Sequence, residues 1–444
     1  MNDQQAKILL QAFEPNGSPA EASLYVEPPD GLPGQLADEL LDTAETNRKF
    51  LLIGGRGLGK SATLRRVGRL LGERDVAIAV EIDLDRMGIG AMSVGAFDLT
   101  YVIGLAILAR LPKGSERTGL GERLLEAYGG AQKKSLGELD EILSGVAGFA
   151  VAASELAVDS ATVPGGAAGV KAAAVLAAPV ARAGIKGFVR LVSRLSGEIP
   201  LVAESSPEGR GVLGATAAIA AAVRAHFQDR PLVVLLDGLE KVNGGGLARV
   251  EELFEHTQLM ANGAWNALIA APPAVLSTAN ALQSMGFETR PVLGFVGHPE
   301  AMHELLRKRL TLAGGDVYET TDPDGLSRLV AASGGSPRSA LWMAYYAVRA
   351  MRHQKAAALT GAAIDQGIAR LSTELNSGLS DEDLQTLAEI ATRRRPNERA
   401  TRLFASERIL AQPPARPGAP HTYDIHPLLR AQVEEWRIES GQRP

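Results

Sequence analysis

Apolar positions along this chain follow two patterns. The first is the short solid run: "KFLLI" at 49–53, "DVAIAVEIDLD" at 75–85, "PLVVLLD" at 231–237 and "NALIAA" at 266–271. Runs of this kind read as strands covered on both faces, as in a parallel sheet packed between helices. The second is helical spacing, seen in "SATLRRVGRLLGE" (61–73), "FDLTYVIGLAILARL" (97–111), "GVLGATAAIAAAVRAHFQ" (211–228) and nearly everything from about 300 to 375. "RPVLGF" (290–295) reads as a last strand before a helix, and "QLADELLDTAETN" (35–47) as a helix after the loop "EPPDGLPG". Strands alternating with helices predict an α/β core with a parallel sheet.

Composition narrows this only modestly. With 444 residues, two or three domains are expected. Hydrophobic residues make up 45% and charged residues 22%, which is ordinary globular material. The net charge of −5 excludes a uniformly basic coat but not a local basic patch. There are no cysteines, so disulfides, thiolate metal sites and cysteine nucleophiles are excluded together. The start of the chain lacks a secretory pattern, and no uncharged apolar run reaches about 18 residues. A cytoplasmic protein is expected.

The chemistry begins after the first strand. Gly54-Gly55-Arg56-Gly57-Leu58-Gly59-Lys60-Ser61 fits G-x-x-x-x-G-K-[ST], between a strand and a helix. A polyphosphate needs several main-chain N–H groups at close range, and residues without Cβ let the chain wrap around it. The helix start, with Ser61 and Ala62 in its first turn, favours negative charge. Lys60 is expected on the β- and γ-phosphates, and the Ser61 hydroxyl on Mg²⁺. A dinucleotide fingerprint fits worse, because Lys60 stands where its third glycine belongs.

"PLVVLLDGLEKV" (231–242) supplies the acid that such a loop requires. Asp237 closes the apolar run at the end where ligands of open sheets gather, and is expected to hold Mg²⁺. Glu240 is the candidate for orienting the attacking water; a solvated acid at a helix start is the alternative. Lys60, Asp237 and Glu240 form the expected catalytic set. No N-K-x-D segment reads guanine, so ATP and ADP are the expected nucleotides.

At these residues the chain resembles the STAND-type and initiator-like AAA+ ATPases. "LLDGLEKV" is similar to the D-G-h-[DE] Walker-B segment of the STAND type, where many AAA+ enzymes place Asp and Glu side by side, and "SGGSPRSALWMAYYAV" (333–348) to the G-x-P/sensor-2 segment of both groups. The resemblance implies a P-loop NTPase core, a helical lid and a winged-helix-like C-terminal domain. It places Pro337 by the base and Arg338 near the γ-phosphate, and it implies ATP hydrolysis. The chain departs from that pattern at the end of "NALIAAPP": the expected polar sensor is replaced by Ala270-Ala271-Pro272. Ser277, Thr278 or Asn280 could substitute.

The division predicted is a lead-in at 1–48, a core at 49–299, a lid at 300–377 and a winged-helix-like domain at 378–444. Within the core, an Ala/Gly-rich insertion at 144–187 stays open between a loosely helical insert, a partner-binding helix pair and a membrane contact. In the last domain "LSDEDLQTLAEIATRR" carries a capping-box-like start at Ser380 and Asp383, "RATRLFASERIL" reads as a second helix, and "PPARPGAPHTYDIHPLLRAQVEEW" as turn, strand and final helix. Arg393, Arg394, Arg395, Arg399 and Arg402 offer either a nucleic-acid contact or pairing within the domain, with Glu398 and Glu407 as partners. His298 and His303 do not make a zinc motif. The functional reading is an ATP-dependent switch with a protein partner and assembly on ATP binding, which the resemblance sets in a bacterial regulatory or defence system. Its alternatives are a nucleotide-stabilised scaffold and a DNA-binding initiator or loader.

Overall fold

The computed structural model describes residues 2–15, 24–42, 47–55, 57–84, 96–112, 114–131, 207–239, 263–271, 286–356, 358–395, 398–413 and 422–441. Arg56, Glu240, the insertion at 144–187, Pro272 and the substitute sensors Ser277, Thr278 and Asn280 lie outside these.

Five parallel strands form the core sheet: β1 (Lys49–Ile53), β2 (Ile78–Asp83), β3 (Leu232–Asp237), β4 (Asn266–Ala271) and β5 (Phe287–Pro291). Their order is β2-β3-β4-β1-β5. Burial follows directly from this order. The inner strands β1, β3 and β4 are buried at every position, whereas the edge strands β2 and β5 are not. Solid apolar runs are therefore found where both faces are covered.

One face, carrying Phe50, Leu52, Val233, Leu235, Leu268 and Ala270, packs on α2 (Leu32–Asp42) and α3 (Lys60–Arg74). The other, carrying Leu51, Ile53, Val234, Leu236 and Ile269, packs on α4 (Ala96–Leu108), α5 (Ser115–Ala131) and α6 (Pro207–His226). Alternate residues of each strand serve opposite faces, giving a three-layer α/β/α arrangement.

The remaining helices form a third apolar cluster. It joins α1 (Asp3–Ala12) to α7 (Pro299–Thr311), α8 (Gly315–Glu319), α9 (Pro323–Ser333), α10 (Pro337–Gln354), α11 (Gly361–Asn376) and α12 (Asp381–Arg393). The same cluster takes in Leu403 and Phe404 of α13 (Thr401–Ala405), Ile409 and Ile425 of the antiparallel strands β6 (Ile409–Gln412) and β7 (Thr422–Ile425), and Val433 of α14 (Arg430–Glu439), while Leu410 of β6 joins the cluster beneath α2 and α3.

Three sequence readings are corrected. The fifth strand is Phe287–Pro291, and the apolar "VLGFV" after it forms turns instead. Helix α2 begins at Leu32, inside the presumed loop, because Asp30 Oδ1 accepts from Leu32 N at 3.0 Å and starts the turn. The second C-terminal helix stops at Ala405, and Ile409–Gln412 becomes a strand by pairing with Thr422–Ile425. The Ser380–Asp383 capping box is present as read.

Candidate functional site

The loop after β1 is shaped by its glycines. A Cβ on Gly54 would stand 2.9 Å from the Val292 carbonyl oxygen, so the chain leaves the sheet where only glycine fits. Gly57 and Gly59 have φ of +85° and +102°, the left-handed region that other residues rarely enter. Gly59 caps α3 without a side chain, leaving the amides at the helix start without a side-chain acceptor from the cap. Leu58 faces inward, 2% exposed, and joins the cluster beneath α2 and α3, so it anchors the loop through packing. Lys60, the first residue of α3, is 4% exposed. Its ammonium donates to the Gly54 and Gly55 carbonyls at 2.8 and 3.0 Å. Ser61 and Ala62 follow in the first turn, half-buried.

Because all five strands run parallel, their C-terminal ends share one edge of the sheet. Asp237 stands there, 8% exposed, at the end of β3. Its Oδ1 accepts from Gly238 N at 2.9 Å. Strand β4 separates β3 from β1, so the fully buried Ala270 and Ala271 lie between the Asp237 strand and the glycine loop. The sequence reading passed over Asp83, which is in register with Asp237 on β2 and 3.5 Å from Arg65 of α3. Its position as the last residue of a core strand was the available signal.

The "GGSPR" segment meets the loop from the other side. Gly335 O accepts from Phe295 N at 2.9 Å, and a Cβ on Gly294 would be 3.2 Å from Pro337 Cδ and 3.3 Å from Leu58 Cδ2. Ser336 caps α10, accepting from Ser339 N at 3.2 Å. Arg338 crosses directly over Gly57, where a Cβ would lie 2.4 Å from Arg338 Cβ. Pro337 and Arg338 are thus brought to the loop although they are remote in sequence.

Three further residues complete this corner. Glu407 Oε1 is 3.0 Å from Arg338 Nε. Glu407 Oε2 accepts from Ser339 Oγ at 3.2 Å, and Ser339 Oγ lies 3.1 Å from His426 Nε2. His426 is fully buried, and that burial pulls its imidazole down to about 4, so it is neutral at pH 7. Pairing of the C-terminal arginines with Glu407 is therefore corrected. Glu407 binds Arg338, while Arg394, Arg399 and Arg402 pair with Asp424, Glu382 and Asp383. Among the described residues there is no cluster of acids and histidines able to hold a metal alone, and no helix long and apolar enough to cross a membrane.

The residues at the loop fit a nucleotide's phosphates: a cradle that a Cβ would fill, a buried ammonium on main-chain oxygens, and a buried carboxylate on the same sheet edge. No protein-family model matches the sequence, and a search of curated proteins finds no match. Among solved structures, the chain is similar to the Aeropyrum pernix ORC2 protein in its ADP form, at 13% identity with 98% of each chain covered and a TM-score of 0.43. It is also similar to Cdc6p from Pyrobaculum aerophilum, at 12% identity with 98% of each chain covered and a TM-score of 0.38. The Thermotoga maritima RuvB Holliday junction branch migration motor matches at 11% identity, over 93% of this chain and 98% of that one, with a TM-score of 0.35. All three likenesses are at 13% identity or below. They are distant, and the function proposed next is drawn from this chain's own residues.

Proposed function

We propose that this chain binds a nucleoside triphosphate at Gly54–Ser61 and acts as a nucleotide-dependent switch whose lid and C-terminal elements respond to the phosphates. The observation that carries this reading is the Lys60 ammonium resting on the Gly54 and Gly55 carbonyls, in a loop that Gly57 and Gly59 hold open to an anion. In the proposed complex the loop amides and Lys60 hold the β- and γ-phosphates, and Pro337 lies by the base. Ser61 and Asp237 hold Mg²⁺, which would neutralise charge between the phosphates. Arg338 comes from the lid side and supplies the contact that distinguishes nucleotide states, which a switch requires. Glu240 orients water for hydrolysis to ADP and phosphate. A phosphate-release assay tests this last assignment: Glu240→Gln is expected to keep nucleotide binding and slow release, and unchanged release removes Glu240 from the mechanism. If wild-type protein releases no phosphate with or without partners, the chain is a nucleotide-stabilised scaffold.

A second reading is a DNA-acting initiator or loader. Drosophila ORC, to which the chain is similar at 12% identity with a TM-score of 0.38, is bound to DNA in its structure, but the reading stands on this chain's own arginines. On this chain Arg394, Arg399 and Arg402 already face carboxylates, which leaves the exposed Arg393 and Arg395 to carry the contact. A salt-dependent DNA affinity that drops in Arg393→Ala/Arg395→Ala would favour it.

A further inference from the structure

The C-terminal elements reach the glycine loop itself. The carbonyl oxygens of Ile409 and Phe404 lie 3.6 and 3.7 Å from where a Cβ on Gly55 would stand. Between them in sequence, Glu407 sits in a turn with φ of +62°, and its Oε1 is 3.0 Å from the corresponding point on Gly57. Glu407 is 8% exposed, Ser339 1% and His426 0%. A carboxylate from the last part of the chain is thus fixed by α10 and by the residue after β7, against the backbone of a loop shaped for anions. In that position it holds Arg338 at short range in a poorly solvated corner, where the attraction between the two charges is strong.

We infer that Glu407 is an internal anion that competes with the terminal phosphate of a bound triphosphate for Arg338, so that triphosphate binding and seating of the C-terminal elements on the loop oppose each other. The inference rests on the nucleotide reading above and adds to it the element that is switched. A diphosphate, one phosphate shorter, makes no such demand on Arg338. The coupling is reciprocal: the factor by which the seated Glu407 weakens triphosphate is the factor by which triphosphate loosens Glu407.

The test uses the full chain with Mg·ADP and a non-hydrolysable Mg·ATP analogue, titrated calorimetrically. Glu407→Gln keeps the shape and removes the charge; it is expected to tighten the ATP analogue about tenfold and leave ADP within about twofold. Arg338→Ala should abolish that difference, so that adding Glu407→Gln changes nothing further. Ser339→Ala, which removes the hydrogen bond to Glu407 Oε2, should shift the ratio the same way by a smaller factor, and it serves if Glu407→Gln fails to fold. A second readout is distance. The chain has no cysteine, so Val76→Cys and Ile438→Cys, at sites 44% and 72% exposed, take a spin-label pair that reports on the core and α14. The ATP analogue is expected to change this distance where ADP does not. If both nucleotides bind wild type but the variants leave the ratio unchanged and the label distance ignores the analogue, this inference is overturned alone. If neither nucleotide binds wild type, the nucleotide reading fails first.

Discussion

Lys49 and Lys60 open β1 and α3, the strand and helix on either side of one loop, and both ammonium groups rest on main-chain carbonyls. At Lys49, 1% exposed, the acceptors are Asn47, Gly263 and Trp265, and the ammonium also faces the Trp265 ring at 5.6 Å. Two of those carbonyls come from the far side of the sequence, so this lysine ties the entry to β4 onto the start of β1. At Lys60 the Gly54 and Gly55 carbonyls belong to the loop immediately before it. Exchanging these for phosphate oxygens would sever no tertiary link. The same chemistry is therefore structural at one end of the sheet and available for a ligand at the other, and the difference lies in where the acceptors come from.

The largest effect expected from this contrast is on stability. Lys49→Met leaves buried carbonyls without their donor and should cost about 4 kcal/mol in urea denaturation, while the folded fraction still takes up nucleotide. A comparable loss on Lys60→Ala instead would reverse the comparison. Next in size is a pH effect at the third buried base, His426. Its folded value of about 4 lies below the ordinary 6.5, so the unfolded chain binds the extra proton. The His426 contribution is then fully present above pH 6.5 and is lost as pH drops toward 4, by on the order of 3 kcal/mol. His426→Gln should flatten that part of the stability–pH curve. Smallest is Gly59→Ala. A Cβ there meets nothing within 4 Å, so only the φ of +102° opposes it, at a cost of about 1 kcal/mol in the same denaturation assay. A much larger loss would mean that the loop is held as rigidly as the Lys49 corner.

The same contrast explains what could be read from the sequence. β1, β3 and β4 were legible because strands covered on both faces must be apolar throughout, and the glycine loop was legible because its residues follow from backbone geometry. The fifth strand was misplaced because, at the sheet edge, "FETRP" is only partly buried, whereas the more apolar "VLGFV" packs under Gly335 as turns. The helix assigned through Ile409 and Leu410 was over-extended because those residues are strand only by virtue of their partners Ile425 and Asp424. Glu407 was assigned to nearby arginines, since nothing local signals that α10 brings Arg338 to it. Arg338 itself could be singled out, but only through resemblance, and its carboxylate partner could not.

The central claim is that the Lys60 ammonium and the loop amides form a site for polyphosphate. Isothermal titration of Mg·ATP into wild type and Lys60→Ala tests it most directly. The account predicts saturable one-site binding in wild type, weakened about 100-fold or more in a variant whose denaturation midpoint is nearly unchanged. Equal binding by the two proteins, or no heat of binding from wild type, would contradict it.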